Sequence, residues 1–294
     1  MKRISRRRLL GSALLGAAAF GLGNRLWGEE GEKVEKTFDK PADFKGNIRQ
    51  SVSKWCFGKI PYEEFCGICQ KMGMVGIDLV QPDDWKTVGD HGMIVTMGSL
   101  PGVSIEEGFN RVENHDKLLA VYEKYIPMAA ELKVPNVICM SGNRKGLDDE
   151  TGIANCAAGL KRVMPLAEQY GVNVVMELLN EKDHTDYQNS HTEFGVEIGK
   201  RIGSSRFKLL YDIYHMQRME GEIINNIRKY HEYIGHYHTG GNPGRNDIDD
   251  TQELYYPAIM RAILDTGFTG FVAHEFIPKN GLESLHNAVK ICDV

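Results

Sequence analysis

The sequence predicts an α/β chain: a single-domain (β/α)8 TIM barrel preceded by an export signal. Three observations predict it. From Gly46 onward, short apolar or β-branched runs alternate with amphipathic helical patterns, eight of each. The alternation fills residues 46–294, which is 249 residues, and a barrel of this kind takes about 250. Each of the last four strand-like runs ends on a residue that can bind a divalent cation, at the end of the barrel where such folds keep their active sites. An open doubly wound sheet is the rival, but it calls for a Gly-rich phosphate loop after an early strand. Neither a G-x-G-x-x-G nor a P-loop pattern occurs.

In chain order, strand one is expected over Ile48–Cys56 and helix one over Tyr62–Met72, with Pro61 at its start. Strand two is Gly76–Val80, followed by a short irregular crossover through Trp85. Strand three is Met93–Met97, and a loop with Pro101 and Gly102 leads to a long helix around Arg111–Leu132. Strand four is Asn136–Met140. The next helix, Glu150–Tyr170, shows a sheet-facing stripe at Ile153, Ala157, Leu160, Val163 and Met164, with Gly171 as its stop. The later elements are strand Val172–Leu178, helix Thr192–Ile202, strand Phe207–Asp212 and helix Glu220–Tyr230. Strand Tyr233–His238, helix Gln252–Asp265, strand Gly270–Phe276 and helix Leu282–Cys292 complete the barrel.

The amino end reads differently. Residues 2–8 are basic and Leu9–Leu22 is apolar, too short for the roughly 20 residues that span a bilayer. Ser5-Arg6-Arg7-Arg8-Leu9-Leu10 looks like a twin-arginine signal, so residues 1–27 are read as a signal peptide and the protein as exported to the periplasm, with no membrane insertion after its removal. Residues 28–45 are charged and aperiodic, a solvated linker. Residues 1–25 hold six basic and no acidic side chains, so without them the formal charge falls from −5 to −11. Such an acidic protein is a poor partner for nucleic acid, whose binding depends on Lys and Arg neutralising phosphates. A small-molecule substrate is expected, and homo-oligomerisation is left open. Six cysteines in a chain this long do not make a disulfide framework, and Cys66 and Cys69 read as buried thiols.

The chemistry concentrates between Glu177 and Glu275. The runs Val174–Glu177, Lys208–Asp212, Ile234–His238 and Phe271–Glu275 end on carboxylates and, in the third, on a pair of histidines, His236 and His238, that share a strand face. A lone barrel histidine is usually a hydrogen-bonded core residue. Ligating types at four successive strand ends point instead to a shared cation, because without one several buried charges stay unpaired. His215 lies three residues past Asp212, just inside the following loop. Glu181–His184 read as a solvated polar loop, and Trp55 and Phe57 as rim or core aromatics.

The stretch Tyr211-Asp212-Ile213-Tyr214-His215-Met216-Gln217-Arg218-Met219-Glu220-Gly221-Glu222 resembles the signature of the hydroxypyruvate isomerases, within the xylose isomerase-like barrel superfamily, with the ketose 3-epimerases as close relatives. Glu177 with Asn180, Ile234-Gly235-His236, Asn242-Pro243 with Arg245, and Gly270-Phe271-Val272 leading to Glu275 extend the resemblance. It implies Glu177, Asp212, His238 and Glu275 as metal ligands, Glu177 and Glu275 as the catalytic acid–base pair, and His215 and Arg245 on substrate oxygens. The hydroxypyruvate isomerase pattern favours Gln where His238 stands and Pro where Leu178 stands, whereas the epimerases use His at the former position.

Three carboxylates and one imidazole suit Mg²⁺, Mn²⁺ or Co²⁺, and accept Zn²⁺. The expected reaction is a metal-dependent isomerisation of a small hydroxy-carbonyl compound or sugar through an enediolate, such as hydroxypyruvate to tartronate semialdehyde. A lyase or hydratase acting on oxidised glycosides starts from the same site, and a non-catalytic sugar-binding envelope protein is a further alternative. A nuclease of the endonuclease four type would need more strand-end histidines and a basic surface.

Overall fold

The computed structural model describes residues 38–294. The signal peptide read over 1–27 and residues 28–37 of the linker lie outside the described residues. Strands and helices alternate as β1 (Gln50–Ser53), α1 (Tyr62–Lys71), β2 (Gly76–Asp78), α2 (Pro82–Asp90), β3 (Ile94–Val95), α3 (His115–Glu131), β4 (Asn136–Cys139) and α4 (Asp149–Tyr170). They continue as β5 (Asn173–Glu177), α5 (Thr192–Ile202), β6 (Phe207–Asp212), α6 (Ile213–Met219), α7 (Ile223–Tyr230), β7 (Ile234–Thr239), α8 (Tyr256–Asp265), β8 (Phe271–His274) and α9 (Leu282–Cys292).

All eight strands run parallel in one curled sheet, in the order β3-β2-β1-β8-β7-β6-β5-β4. Gly98 joins the two ends of that order. Its N–H donates to the Asn136 carbonyl at 2.8 Å and its carbonyl accepts from Ile138 N–H at 3.0 Å, while it also bridges to Val80. Alternation along each strand separates two apolar layers. Ile138, Val175 and Leu210 meet inside the barrel, and Val137, Val174, Leu209 and Tyr237 face the helices.

Local chemistry explains the elements. Asp148 caps α4 by accepting from Thr151 N–H at 2.9 Å, and Gly171 ends it in the left-handed region at φ +71°. The crossover through Trp85 is a helix rather than the irregular segment expected from sequence. Pro82 occupies its first turn, Asp83 and Asp84 favour its amino end, and Trp85 and Val88 are buried. The helix expected over Glu220–Tyr230 is preceded by a second one, α6, starting directly on β6. Asp212 caps α6 by accepting from His215 N–H at 3.1 Å, so His215 is helical, not in a loop. Gly221 and Glu222, both at positive φ, separate α6 from α7. The helix expected from Gln252 begins only at Tyr256, because Gln252 instead bonds to the backbone of Asp249 and Leu254 within the preceding loop.

One irregularity positions the site. Between β6 and β7 the register moves from Leu209↔Ile234 to Leu210↔His236, so Gly235 is an extra residue in β7. This bulge turns His236 and His238 to the barrel interior, where His238 pairs with Asp212 instead of Tyr237 doing so. A Cβ on Gly235 would stand 2.6 Å from Lys208 Cβ, which is why a side-chain-free residue occupies the bulge. Residues 38–45 of the linker are held rather than free: Phe38 and Phe44 pack on the core, and Lys45 N–H donates to Asp293 at 2.8 Å. Among the described residues no helix is long and apolar enough to cross a membrane.

Candidate metal centre

β5, β6, β7 and the residue after β8 bring Glu177, Asp212, His238 and Glu275 together. All four are buried, and one potential ligand atom from each lies within 4.8 Å of the others. His238 Nδ1 faces Glu275 Oε2 at 2.5 Å, Glu177 Oε1 at 3.7 Å and Asp212 Oδ2 at 3.8 Å. It has no hydrogen bond of acceptable geometry, although it is fully buried. An imidazole nitrogen and three carboxylate oxygens converging in a buried site are a donor set that a divalent cation satisfies. By donor type, number and burial the four residues fit such an ion.

Arg245 is the other cation at the cluster. Its Nη2 lies 2.7 Å from Asp212 Oδ2 and 2.5 Å from Glu275 Oε2, and Nη1 contacts His215 Nε2. The sequence reading put Arg245 and His215 on substrate. Both line the cavity, and Arg245 also binds two of the four ligands. The backbone N–H of Asn180 donates to His215 Nδ1 at 3.2 Å, and Nε2 faces the Arg245 guanidinium at the cavity. Burial pushes His215 down to about 4, against the pull of Asp212, so the ring is neutral.

The two glutamates are held apart electrostatically. Burial pushes Glu177 up to about 7, with Glu275 and Asp212 adding to the effect and His238 opposing it. Burial opposes ionisation of Glu275 too, but Arg245, His238 and the Trp55 indole hold it well below the carboxylate range. Burial works against a charged His238, yet Glu275, Asp78 and Glu177 keep its imidazolium favoured well above the ordinary value. Two carboxylates on one site with opposite tendencies suit a division into proton donor and proton acceptor.

A cavity of about 440 Å³ opens over this cluster, lined among others by Trp55, Ile105, Leu179, Tyr214 and Ile277. Asp183 and His184, read from sequence as a solvated loop, also line it. Asp183 is fixed there by Tyr214 Oη at 2.7 Å and by Arg218. Trp55, 50% exposed, donates from Nε1 to Glu275 Oε1 at 2.6 Å, a polar contact its apolar neighbours in sequence do not announce. Phe57 instead stacks on Phe65 in the core. Sequence reasoning missed Asp78, at the end of β2, which lies against His238 and His236 at 2.9 and 3.0 Å. Its signal was available: a carboxylate at the end of an apolar strand, the same pattern that marked Glu177. All six cysteines are free thiols, and Cys66 and Cys69 are buried.

A curled eight-stranded barrel with a carboxylate-rich centre at the carboxyl ends of its strands defines the class. Residues 85–290 match the family model of the xylose isomerase-like TIM barrel, and the chain belongs to that family. It is similar to hydroxypyruvate isomerase of Escherichia coli, 27% identical over 160 residues, covering 54% of this chain and 62% of that protein. The match thus spans about three fifths of that relative's length. It is also similar to D-psicose 3-epimerase of Agrobacterium fabrum, 26% identical, covering 67% of this chain and 68% of the other. The crystal structure of AP endonuclease, family 2, from Brucella melitensis superposes with a TM-score of 0.73 at 20% identity, covering 81% of this chain and 96% of that one, a likeness of fold.

Proposed function

We propose that this protein is a metal-dependent isomerase or epimerase of a small hydroxy-carbonyl compound or sugar, hydroxypyruvate isomerase-like, converting hydroxypyruvate to tartronate semialdehyde or performing a related aldose–ketose isomerisation or epimerisation. One observation carries the reading: four buried side chains of ligating type converge within 4.8 Å, and two of them, Glu177 and Glu275, also line the cavity. Glu177, Asp212, His238 and Glu275 would hold Mg²⁺, Mn²⁺ or Co²⁺, with Zn²⁺ also accommodated by the donor set. Such an ion would supply polarisation of the carbonyl and adjacent hydroxyl oxygens, which acidifies the hydrogen on the hydroxyl-bearing carbon next to the carbonyl.

The protein's own groups then move the proton. One of Glu177 and Glu275 takes it from carbon, the C–H electron pair forms a carbon–carbon double bond, the carbonyl π pair moves onto its oxygen, and in an isomerisation the hydroxyl proton passes to that oxygen. The other glutamate returns a proton at the neighbouring carbon, or on the opposite face. His215 and Arg245 hold substrate oxygens, with Arg245 offering its guanidinium as a charged donor. Leu179, Ile105 and Trp55 keep water from the reacting carbons. The same reading includes export by the amino-terminal segment, which sequencing the amino end of the purified mature protein checks.

The test supplies Mn²⁺ with hydroxypyruvate and a panel of small ketoses in D₂O, followed by NMR. Solvent deuterium at the carbon beside the carbonyl, together with an isomeric product, is the expected outcome. Loss of water or of a glycosidic leaving group would reassign the site to a lyase. Tight metal binding with no exchange in any substrate would refute the acid–base roles.

A further inference from the structure

We infer that Asp78 is a positioning residue that aims His238 at the metal centre, fixing which ring nitrogen is free to ligate. The inference rests on the metal-centre reading above. Asp78 is fully buried at the carboxyl end of β2, and 160 residues of chain separate it from His238 on β7. Its Oδ2 lies 2.9 Å from His238 Nε2, on the side of the ring away from Glu177, Asp212 and Glu275. An ionised carboxylate only accepts, so this contact keeps an imidazole proton on Nε2 and makes Nδ1 the nitrogen that faces the cluster and is available to a cation.

Asp78 is itself held. Thr96 Oγ1 donates to Oδ1 at 2.5 Å, and His236 Nε2 lies 3.0 Å from the same oxygen. Both oxygens are therefore engaged at hydrogen-bond distances, and the carboxylate cannot turn without breaking contacts on both sides. A buried carboxylate held in this way orients the ring and raises the basicity of its free nitrogen, and removing such a partner lowers metal affinity by about 10–100-fold. Asp78, His236 and His238 also form a potential three-ligand cluster of their own. With every Asp78 contact at hydrogen-bond length, we assign Asp78 as an acceptor and not as a ligand.

The full chain is titrated with Mn²⁺ in calorimetry, and its Co²⁺ form is examined by visible absorption. Asp78→Asn weakens Mn²⁺ binding by about 10–100-fold and shifts the Co²⁺ ligand-field bands, while cooperative unfolding of the metal-free protein is retained. Thr96→Val, which keeps the carboxylate and removes one of its hydrogen bonds, weakens binding by a smaller factor. Folded Asp78→Asn with wild-type affinity and an unchanged Co²⁺ spectrum overturns the inference. So does a wild type that binds two Mn²⁺ per chain and an Asp78→Asn that binds one, since Asp78 is then a ligand. If Asp78→Asn does not fold, Thr96→Val decides, and unchanged affinity there overturns the inference. A wild type that binds no Mn²⁺ refutes the metal-centre reading itself, an outcome distinct from these.

Discussion

Strands β1–β4 and strands β5–β8 share one architecture, parallel strands backed by helices, yet they bring different side chains to the same end of the barrel. β5 to β8 deliver Glu177, Asp212, His238 and Glu275, every member of the four-ligand cluster. From β1 and β2 come only Trp55 and Asp78, and each touches a ligand through one contact: Trp55 Nε1 on Glu275 at 2.6 Å, Asp78 on His238 at 2.9 Å. One half holds charge and the other aims it. A cation site needs several like-charged groups close together, which short neighbouring strands supply; the supporting contacts come from across the barrel, where they do not add to the crowding. Two histidines on neighbouring strands make the same contrast. His274 is fully buried with both nitrogens engaged, Nδ1 near Thr239 Oγ1 at 3.0 Å and Nε2 near Gln50 Oε1 at 2.9 Å, whereas His238 Nδ1 makes no well-formed hydrogen bond and faces the carboxylate cluster, closest to Glu275 Oε2 at 2.5 Å.

The largest expected effect tests the charged half. Glu275→Gln lowers substrate proton exchange by about 10²–10⁴-fold, the ordinary range for a lost general acid or base. NMR in D₂O measures it, and near-normal exchange with metal bound would dissolve the distinction between the halves. A purely structural change in the other half has the opposite signature. Ile126→Ala, on the buried face of α3, costs about 2–5 kcal/mol in urea unfolding while leaving Mn²⁺ affinity within about twofold.

Metal removal comes next. On the proposed reading the ion binds only the folded cluster, so Mn²⁺ at 100 times its dissociation constant should add about 2.7 kcal/mol of stability. A melting temperature that a chelator leaves unmoved, in protein shown to have bound Mn²⁺ beforehand, contradicts that linkage.

Trp55→Phe keeps the aromatic wall but removes the N–H on Glu275. A hydrogen bond to a charged group contributes about 1.5–3 kcal/mol, and this half-exposed one belongs at the low end, so exchange slows about tenfold. The smallest effect concerns the mouth. Partial burial opposes ionisation of Asp183, but hydrogen bonds from Asn180, Tyr214 and Arg218 hold its carboxyl below the ordinary range. Its folded-state value is thus depressed, and the tie it makes is present above the unfolded-state value, about 3.9, and lost as pH falls through the lower folded one. Asp183→Asn should remove that contribution, lowering stability modestly near pH 7 where the tie is present, and flatten the acid limb of a stability–pH curve.

Much of this was legible in the residues because it depends on local pattern. The period-two runs placed β5 to β8 within a residue or two, and the ligands stood out because Glu177, Asp212 and Glu275 end apolar stretches where an unpaired carboxylate is costly. Helix α2 was hidden by its brevity and its mostly polar sequence, and α6 by starting directly on a strand. What the chain alone determined, then, was eight strand–helix units and the chemical character of the last four strand ends, since alternation and terminal residue type are properties of neighbours in sequence. Tertiary structure alone decided that the Gly235 bulge sets His238 against Asp212, that Asp78 reaches His238, and that Arg245 lies on Asp212 and Glu275. Those contacts depend on strand register and on curling of the sheet, which fix distances between residues far apart in the chain and leave no periodic trace in it.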